Sequence, residues 1–249
     1  MSIHLCFLLT SKLVKEDIML KAMILTTVSH GFNVKLKKHI TRPFMHLVRW
    51  LLLNLYYGKG YMNHFNNLPD RKWIKTQLSP KLEKINRGKI LYVGCAPYSW
   101  DSLKSFNREV DLFTVDNKMR NVIWGGEKHI VADIQNIDKM VQPASFDMVL
   151  LNGIFGYGID TEAAQTITYQ ALHSILKPDG LLLIGWNYDR STDPLKNTTC
   201  RHLFTTSNYE DLESRTCFED STHVFDFLRA KPIVETGFNK RHLERCSKG

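Results

Sequence analysis

Residues 89–98 read KILYVGCAPY, and residues 111–117 read DLFTVDN. The first stretch is an apolar run that opens into a turn of small residues, and the second is an apolar run that ends in the acid Asp116. An acid that follows Gly94 by 22 residues is typical of the nucleotide-binding edge of a parallel α/β sheet, although it would also suit the start of a helix. The two stretches therefore predict an α/β fold and favour an adenosine-containing ligand.

From residue 89 onward, short apolar runs alternate with segments of helical spacing and with turn residues. Strands are predicted at residues 90–93, 112–115, 129–131, 146–151, 181–186 and 222–229, and helices at residues 99–106, 119–124 and 161–176. This alternation is the signature of parallel strands joined by right-handed crossovers. We therefore expect one parallel sheet with crossover helices.

The first 88 residues differ from the rest in charge. They contain 15 Lys and Arg against 4 Asp and Glu, net +11, whereas residues 89–249 contain 18 against 21, net −3, and together these give the +8 of the chain. A helix that ends at GKG, residues 58–60, is predicted by apolar residues at helical spacing: Phe44, Leu47, Val48, Leu51, Leu52 and Leu55. Such a helix can dock on its own domain or lie on an acidic membrane surface. We predict a basic, partly apolar helical extension at residues 1–80 and a second domain at residues 81–249.

Composition argues against several classes of protein. The five cysteines contain no C-x-x-C pair, so neither a disulfide framework nor a metal site is predicted. A single glycine in the turn after residue 93 disfavours a dinucleotide-binding enzyme, which would have G-x-G-x-x-G. No apolar run reaches the ~20 residues of a membrane span, and a signal peptide is not expected. We predict a cytoplasmic protein, with residues 35–57 as a candidate for peripheral membrane contact.

Five motifs follow one another between residues 90 and 187: ILYVGCAPY, FTVDN, HIVADIQNID, FDMVLLNGIFGYGID and ILKPDGLLLIGWN. In this order they resemble the successive motifs of the class I S-adenosylmethionine-dependent methyltransferases, and FDF at residues 225–227 resembles a late strand of that fold. The resemblance implies a Rossmann-like, mainly parallel seven-stranded sheet with helices on both faces. It also implies methyltransferase activity and S-adenosyl-L-methionine as the cofactor.

The resemblance assigns cofactor contacts to the ends of the first four strands: Tyr92, Gly94, Cys95, Ala96, Asp116, Asn117, Asp133, Ile134, Asn152 and Gly153. In the family, the turn holds the methionine part, the acid holds the ribose, the third strand end holds adenine and the fourth faces the reacting methyl. Taken alone, Asp133 would suit a helix cap. Tyr92 stands where the family usually has an acid, and Ala96 and Tyr98 stand where it has glycines. These departures leave a non-catalytic binding protein as an alternative.

The acceptor region is predicted at residues 152–160, where three glycines permit close approach and Phe155 and Tyr157 would wall an apolar pocket. Candidate catalytic residues are Asn152, Tyr157 and His223, the last as a general base, although a histidine in a strand is often structural. The motifs typical of nucleic-acid-base methyltransferases are missing. We therefore expect a small-molecule acceptor, apolar or lipid-like, and an RNA acceptor recognised by the basic N-terminal region is a further alternative. The oligomeric state is left open.

Overall fold

A computed structural model describes residues 47–82, 88–106 and 110–232. The part of the membrane-contact prediction that falls on residues 35–46 lies outside the described residues. In the described ranges, no helix is long and apolar enough to cross a membrane.

The described chain begins with helical residues 47–51, followed by a π-helical segment, Leu52–Tyr57, and helix α1, Gly58–Asn66. The prediction that the helix ends at residues 58–60 is wrong. Glycine in a helix interior costs only about 1 kcal/mol relative to alanine, which a helix can tolerate. The helix ends instead before Leu68, whose extended backbone (ψ 139°) reflects the clash that proline imposes on the preceding residue.

Helical residues 47–52 dock on the domain through one face. Val48 and Leu52 are buried beside Ile123, and the Arg49 side chain donates to the Ile123 and Gly125 carbonyl oxygens at 2.5 and 2.9 Å. Burial lowers the pKa of Arg49 to about 10. The opposite face leaves Leu47, Trp50 and Leu51 exposed.

The remaining elements are α2 (Pro69–Trp73), a π-helical segment (Ile74–Leu78), α3 (Ser79–Leu82), β1 (Lys89–Val93), α4 (Ser99–Lys104), β2 (Asp111–Asp116), a 3-10 helix (Met119–Trp124), β3 (Lys128–Val131), a 3-10 helix (Ile134–Lys139), β4 (Phe146–Asn152), α5 (Glu162–Ile175), β5 (Leu176–Asn187), a 3-10 helix (Pro194–Lys196), α6 (Thr198–Leu203), β6 (Phe204–Thr206), β7 (Arg215–Phe218) and β8 (Ser221–Ala230). The sequence did not predict α6, β6 or β7.

The strands form one sheet in the order β3-β2-β1-β4-β5-β8-β6, with β7 also paired to β8. Strands β1 to β5 are mutually parallel, and β8 runs antiparallel to β5, β6 and β7. The predicted α/β class, with a Rossmann-like, mainly parallel sheet and helices on both faces, is confirmed. The strand count needs a correction, because the described chain has eight strands instead of seven.

The eighth strand arises because two short strands share the outer edge of β8. Strand β7 pairs with residues 221–226 of β8, and β6 pairs with residues 228–230. Between the two paired segments of β8, Phe227 hydrogen-bonds to the residue after β6 and to the residue before β7. Its carbonyl accepts from Ser207 N at 3.1 Å, and its amide donates to Ser214 O at 2.8 Å. Strands β6 and β7 together thus occupy the seventh position of the sheet.

Alternating side chains on the strands build one core on each face of the sheet. Leu91, Val93, Val149 and Leu151 face α5, whereas Ile90, Tyr92, Met148 and Leu150 face the other way. The second face is covered by Ile74, Leu78 and Leu82, which follow one another at one helical turn and are at most 1% exposed. Residues 74–82 therefore pack on the sheet, and the division of the chain at residue 80 stays a prediction.

A buried carboxylate joins the antiparallel part of the sheet. Asp226 on β8 accepts from Trp186 Nε1 on β5 at 2.7 Å and from Arg215 Nε on β7 at 2.6 Å. Arg215 also donates to Asp193 at 3.1 Å. These hydrogen bonds to the two carboxylates raise the pKa of Arg215, so three strands are tied through one charged group.

Candidate functional site

A cavity of about 340 Å³ opens at the carboxyl ends of β1, β2, β3 and β4. It lies where the strand order reverses beside β1, which is the usual ligand position in open α/β sheets. All the residues predicted to contact a cofactor line it: Tyr92, Gly94, Cys95, Ala96, Asp116, Asn117, Asp133, Ile134, Asn152 and Gly153. The fold thus brings together residues that are up to 61 positions apart in the sequence, while their individual roles stay predictions.

The backbone amides at the start of the turn after β1 donate hydrogen bonds to other groups of the protein. The amide of Gly94 donates to Val115 O at 2.9 Å, that of Cys95 to Asp116 Oδ2 at 2.8 Å, and that of Ala96 to Ser99 Oγ at 2.8 Å. Within residues 94–98 only Gly94 has a positive φ, 85°. Ala96 and Tyr98 therefore fit without the freedom of glycine, and residues 94–96 offer a ligand close approach rather than amide donors.

Asp116 ends β2 and is already engaged by the protein. Its Oδ1 accepts from Lys118 N at 2.8 Å and from Asn121 Nδ2 at 3.1 Å, and its Oδ2 accepts from Cys95 N. A carboxylate has about four acceptor positions, so one position on Oδ2 is left for a ligand. This remaining position suits one hydroxyl of a ribose.

Asp133 lines the cavity and caps a helix at the same time. Its Oδ1 accepts from Gln135 N at 2.9 Å, at the start of the 3-10 helix Ile134–Lys139. The helix-cap alternative drawn from the sequence therefore holds in the structure, together with a position on the cavity wall.

Cys95 is not suited to nucleophilic chemistry. Its side chain is buried beside Leu52, and burial, with a smaller effect of the Asp116 charge, raises its pKa to about 12. Since the thiolate is the reactive form, this thiol is inert at neutral pH.

Sequence reasoning missed the basic residue on the cavity wall near β1. Arg71 on α2 lines the cavity together with Tyr92 and Tyr98, and its guanidinium lies 4.7 Å over the Tyr98 ring. Burial raises the pKa of Tyr92 to about 12 despite the opposing Arg71 charge. No local pattern could have found Arg71, because α2 is placed by packing against distant elements, for example by Trp73, which stacks on Phe225 of β8 at 4.8 Å.

Two of the predicted catalytic residues, Asn152 and Tyr157, line the cavity, whereas His223 lies behind it, on β8. His223 Nδ1 is 3.2 Å from Asn187 Oδ1, and Asn187 Nδ2 donates to Thr222 Oγ1 at 2.8 Å. The amide orientation makes Asn187 Oδ1 the acceptor, so the hydrogen is assigned to Nδ1 of the histidine. Burial lowers the pKa of His223 to about 4, which leaves a neutral ring with an acceptor at Nε2.

The side chains of Asn152 and His223 crowd the space above Gly185. A Cβ at Gly185 would collide with Asn152 Oδ1 and would lie 2.7 Å from Phe225 Cε1 and 2.8 Å from His223 Nε2. Asn152 Oδ1, Asn152 Nδ2 and His223 Nε2 are buried without a hydrogen-bond partner among the described residues. Glycine is therefore the residue that fits at position 185, and the cavity reaches Asn152 but not His223.

The aromatic wall predicted for the acceptor is half present. Tyr157 is exposed and its hydroxyl is 3.5 Å from Asn187 Oδ1. Phe155, in contrast, is fully buried and packs on Tyr169 of α5, with ring centroids 5.5 Å apart, because it belongs to the core beneath the loop. Within residues 47–82, 88–106 and 110–232, no three His, Cys, Asp or Glu side chains are placed to hold a metal ion.

No protein-family model and no curated protein matches the sequence. Among solved structures, the N-methyltransferase NodS from Bradyrhizobium japonicum WM9 is similar to this chain. The alignment covers 67% of this chain and 99% of the NodS chain, at 14% identity and a TM-score of 0.52. NodS in complex with S-adenosyl-L-homocysteine matches 75% with 98% of its own chain, at 14% identity and a TM-score of 0.53. A TehB-like methyltransferase from Corynebacterium glutamicum matches 72% with 100% of its own chain, at 18% identity and a TM-score of 0.47. At the identities of the two NodS structures the likeness is one of fold, and this chain has the class I methyltransferase fold.

Proposed function

We propose that the protein is an S-adenosylmethionine-dependent methyltransferase that acts on a small-molecule acceptor. The observation that carries the proposal is that one cavity is lined by every residue to which the sequence assigned a cofactor contact. The likeness of the fold to NodS, which is known in complex with S-adenosyl-L-homocysteine, supports the same cofactor.

The cavity fits such a cofactor in three respects. Asp116 keeps one acceptor position for a ribose hydroxyl. Gly94 has no side chain where the backbone must approach the ligand. Arg71 has hydrogen-bond donors that no described residue satisfies. When bound, the cofactor supplies an activated methyl on a sulfonium, so the main task of the protein is alignment.

We assign the acceptor to the part of the cavity wall formed by residues 152–158, after β4. Asn152 would face the group to be methylated, and Tyr157 would cover the acceptor from the solvent side. His223 lies behind Asn152, outside the cavity, and we propose that it supports the position of Asn152. We also propose that the acceptor is apolar or lipid-like apart from the group to be methylated.

A binding protein without turnover is the second candidate. It is favoured by the turn after β1, whose amides at residues 94–96 are all bonded within the protein. Binding without methyl transfer would distinguish this candidate from the first.

Titration calorimetry with S-adenosylmethionine and S-adenosylhomocysteine tests the cofactor site. We expect both to bind, and Asp116→Ala to weaken binding by about ten- to a hundredfold, as for loss of a hydrogen bond to a charged group. Asp138→Ala, which removes an exposed acid from the neighbouring 3-10 helix, is the matched control. If neither ligand binds the wild type, the proposed site is wrong.

The acceptor class is tested by the release of S-adenosylhomocysteine with a panel of small amines, phenols and thiols. Turnover with one of these classes, lost in Tyr157→Ala while S-adenosylhomocysteine still binds, supports the acceptor position. Cofactor binding without turnover on any acceptor supports the binding-protein alternative.

We also propose that the N-terminal region contacts a membrane surface. Leu47, Trp50 and Leu51 form an exposed apolar face, and they belong to the basic first third of the sequence. Flotation with vesicles that contain anionic lipid should carry the protein upward, and Trp50→Glu should abolish this. Equal flotation of the two proteins would contradict the proposal.

A further inference from the structure

Helix α2 places one arginine on the wall of the cavity, near the end of β1. The Arg71 side chain is 15% exposed, lies over the Tyr98 ring and reaches the neighbourhood of the Tyr92 hydroxyl. It shares the cavity with Gly94 and Asn152. The guanidinium thus lies between the Tyr98 ring and the Tyr92 hydroxyl, on the wall of the cavity.

The donors of Arg71 are not all used. Its Nε and Nη1 are buried and have no hydrogen-bond partner among the described residues. Asp70 Oδ2 lies 3.3 Å from Nε as an ion pair, without the geometry of a hydrogen bond. A buried guanidinium with unmade hydrogen bonds is costly, and a carboxylate is the group that matches it best.

The methionine end of the proposed cofactor carries such a carboxylate. The amides of the turn at residues 94–96 are already bonded and cannot hold it. The other cation on the cavity wall, Lys118, follows β2, beside the acid assigned to the ribose. Arg71 is the cation beside the turn that the sequence assigns to the methionine part.

We propose that Arg71 binds a carboxylate in this cavity, namely that of the methionine end of the cofactor, in place of amide donors from the turn. The inference rests on the proposed function. A carboxylate on the acceptor is the other source of the same chemistry, and the experiment separates the two.

The test compares two ligands by titration calorimetry. S-adenosylhomocysteine has the amino-acid end, whereas 5′-deoxy-5′-methylthioadenosine has the adenosine and the thioether but no carboxylate. We expect Arg71→Met to weaken the first ligand by about ten- to a hundredfold and to change the second by less than about twofold. Arg71→Lys should recover part of the loss, and Lys72→Met, which removes an exposed cation from the same helix, should leave both affinities unchanged.

Each other outcome has a definite meaning. Equal losses for the two ligands would mean that Arg71 only supports the fold, which overturns the inference. Unchanged binding of both, with methyl transfer lost for acceptors that carry a carboxylate and kept for those that do not, would assign the bound carboxylate to the acceptor. Unchanged binding and unchanged transfer would overturn the inference while the proposed function stands. A wild type that binds neither ligand would overturn the proposed function, and this inference with it.

Discussion

Two single residues, Gly94 and Asp116, connect the two ends of the candidate site, one assigned to the methionine part of the cofactor and one to its ribose. The left-handed backbone of Gly94 (φ 85°) turns the chain away from β1, and the next amide, that of Cys95, donates to Asp116 on β2. The acid assigned to the ribose therefore also fixes the turn assigned to the methionine part. A change at either residue is expected to act on both ends of the cavity.

Replacing Gly94 by alanine should destabilise the protein by about 1–2 kcal/mol, because the left-handed backbone disfavours a Cβ. The added Cβ would also lie 3.2 Å from Ile154 Cδ1. Urea unfolding measures the change. Gly60→Ala is the control, since a Cβ there meets nothing within 4 Å in a helix, and it should raise stability by about 0.5–1 kcal/mol. Equal effects of the two variants would refute the explanation.

His223 makes stability depend on pH in acid. Burial lowers its folded pKa to about 4, whereas the unfolded value is about 6.5. Between these values the unfolded chain binds a proton at this residue that the folded chain does not. The free energy of unfolding therefore decreases as the pH is lowered from about 6.5 to about 4, by about 3 kcal/mol in total. Well above pH 6.5 the ring is neutral in both states, and the free energy of unfolding no longer depends on pH through this residue.

Unfolding in urea at pH 7, 6 and 5 checks this dependence. His223→Gln should lose less stability between pH 7 and 5 than the wild type. The remaining slope includes His129, whose pKa burial also lowers to about 4. His202→Gln, at an exposed position, should keep the slope of the wild type, and the same slope in all three proteins would show that His223 is not the cause.

The helical segment from α2 to α3 packs on one face of the sheet. Its buried residues Ile74 and Leu78 belong to the same core as Tyr92 and Phe225, and the segment also carries Arg71 to the cavity. Packing of this element is therefore coupled to the shape of the candidate site.

Replacing Leu78 by alanine should cost about 2–5 kcal/mol, because its fully buried side chain would leave a cavity. Chemical denaturation gives the value. Ile167→Ala removes a side chain that is 48% exposed on α5 and should cost far less. A small loss for Leu78→Ala would mean that residues 74–82 do not support the sheet.

Elements could be predicted from the sequence where their signal is local. Strand β1 is an apolar run that is buried from Ile90 onward, and the residues predicted from its motif and the motifs that follow line one cavity. Strand β7 alternates exposed and half-buried residues over Arg215–Phe218, and it is a strand only because β8 pairs with it. The position of Arg71 likewise depends on packing between distant elements, so neither could be read from the sequence.

At the scale of the whole molecule, the antiparallel half of the sheet depends on Asp226. This carboxylate is fully buried and accepts hydrogen bonds from Trp186 and Arg215, on the two neighbouring strands. We expect Asp226→Asn to lower the free energy of unfolding by about 2–4 kcal/mol, because it leaves Arg215 with one charged partner fewer.

Thermal and urea unfolding of Asp226→Asn measure this loss. The matched control is Asp189→Asn, which removes an exposed acid from the loop after β5 and should change stability by less than about 0.5 kcal/mol. Similar values for the two variants would show that the buried charge does not hold the strands together.

The two short strands that pair with the outer edge of β8, β6 and β7, have a consequence for self-association. An open sheet invites a second molecule to add a strand wherever a long, flat edge is free. Here β6 and β7 have three and four residues with a loop between them, and β3, at the opposite edge, has four. Among the residues that the structure describes, neither border offers a continuous ladder to another copy, so the shortness of the outermost strands protects this sheet against edge-to-edge aggregation.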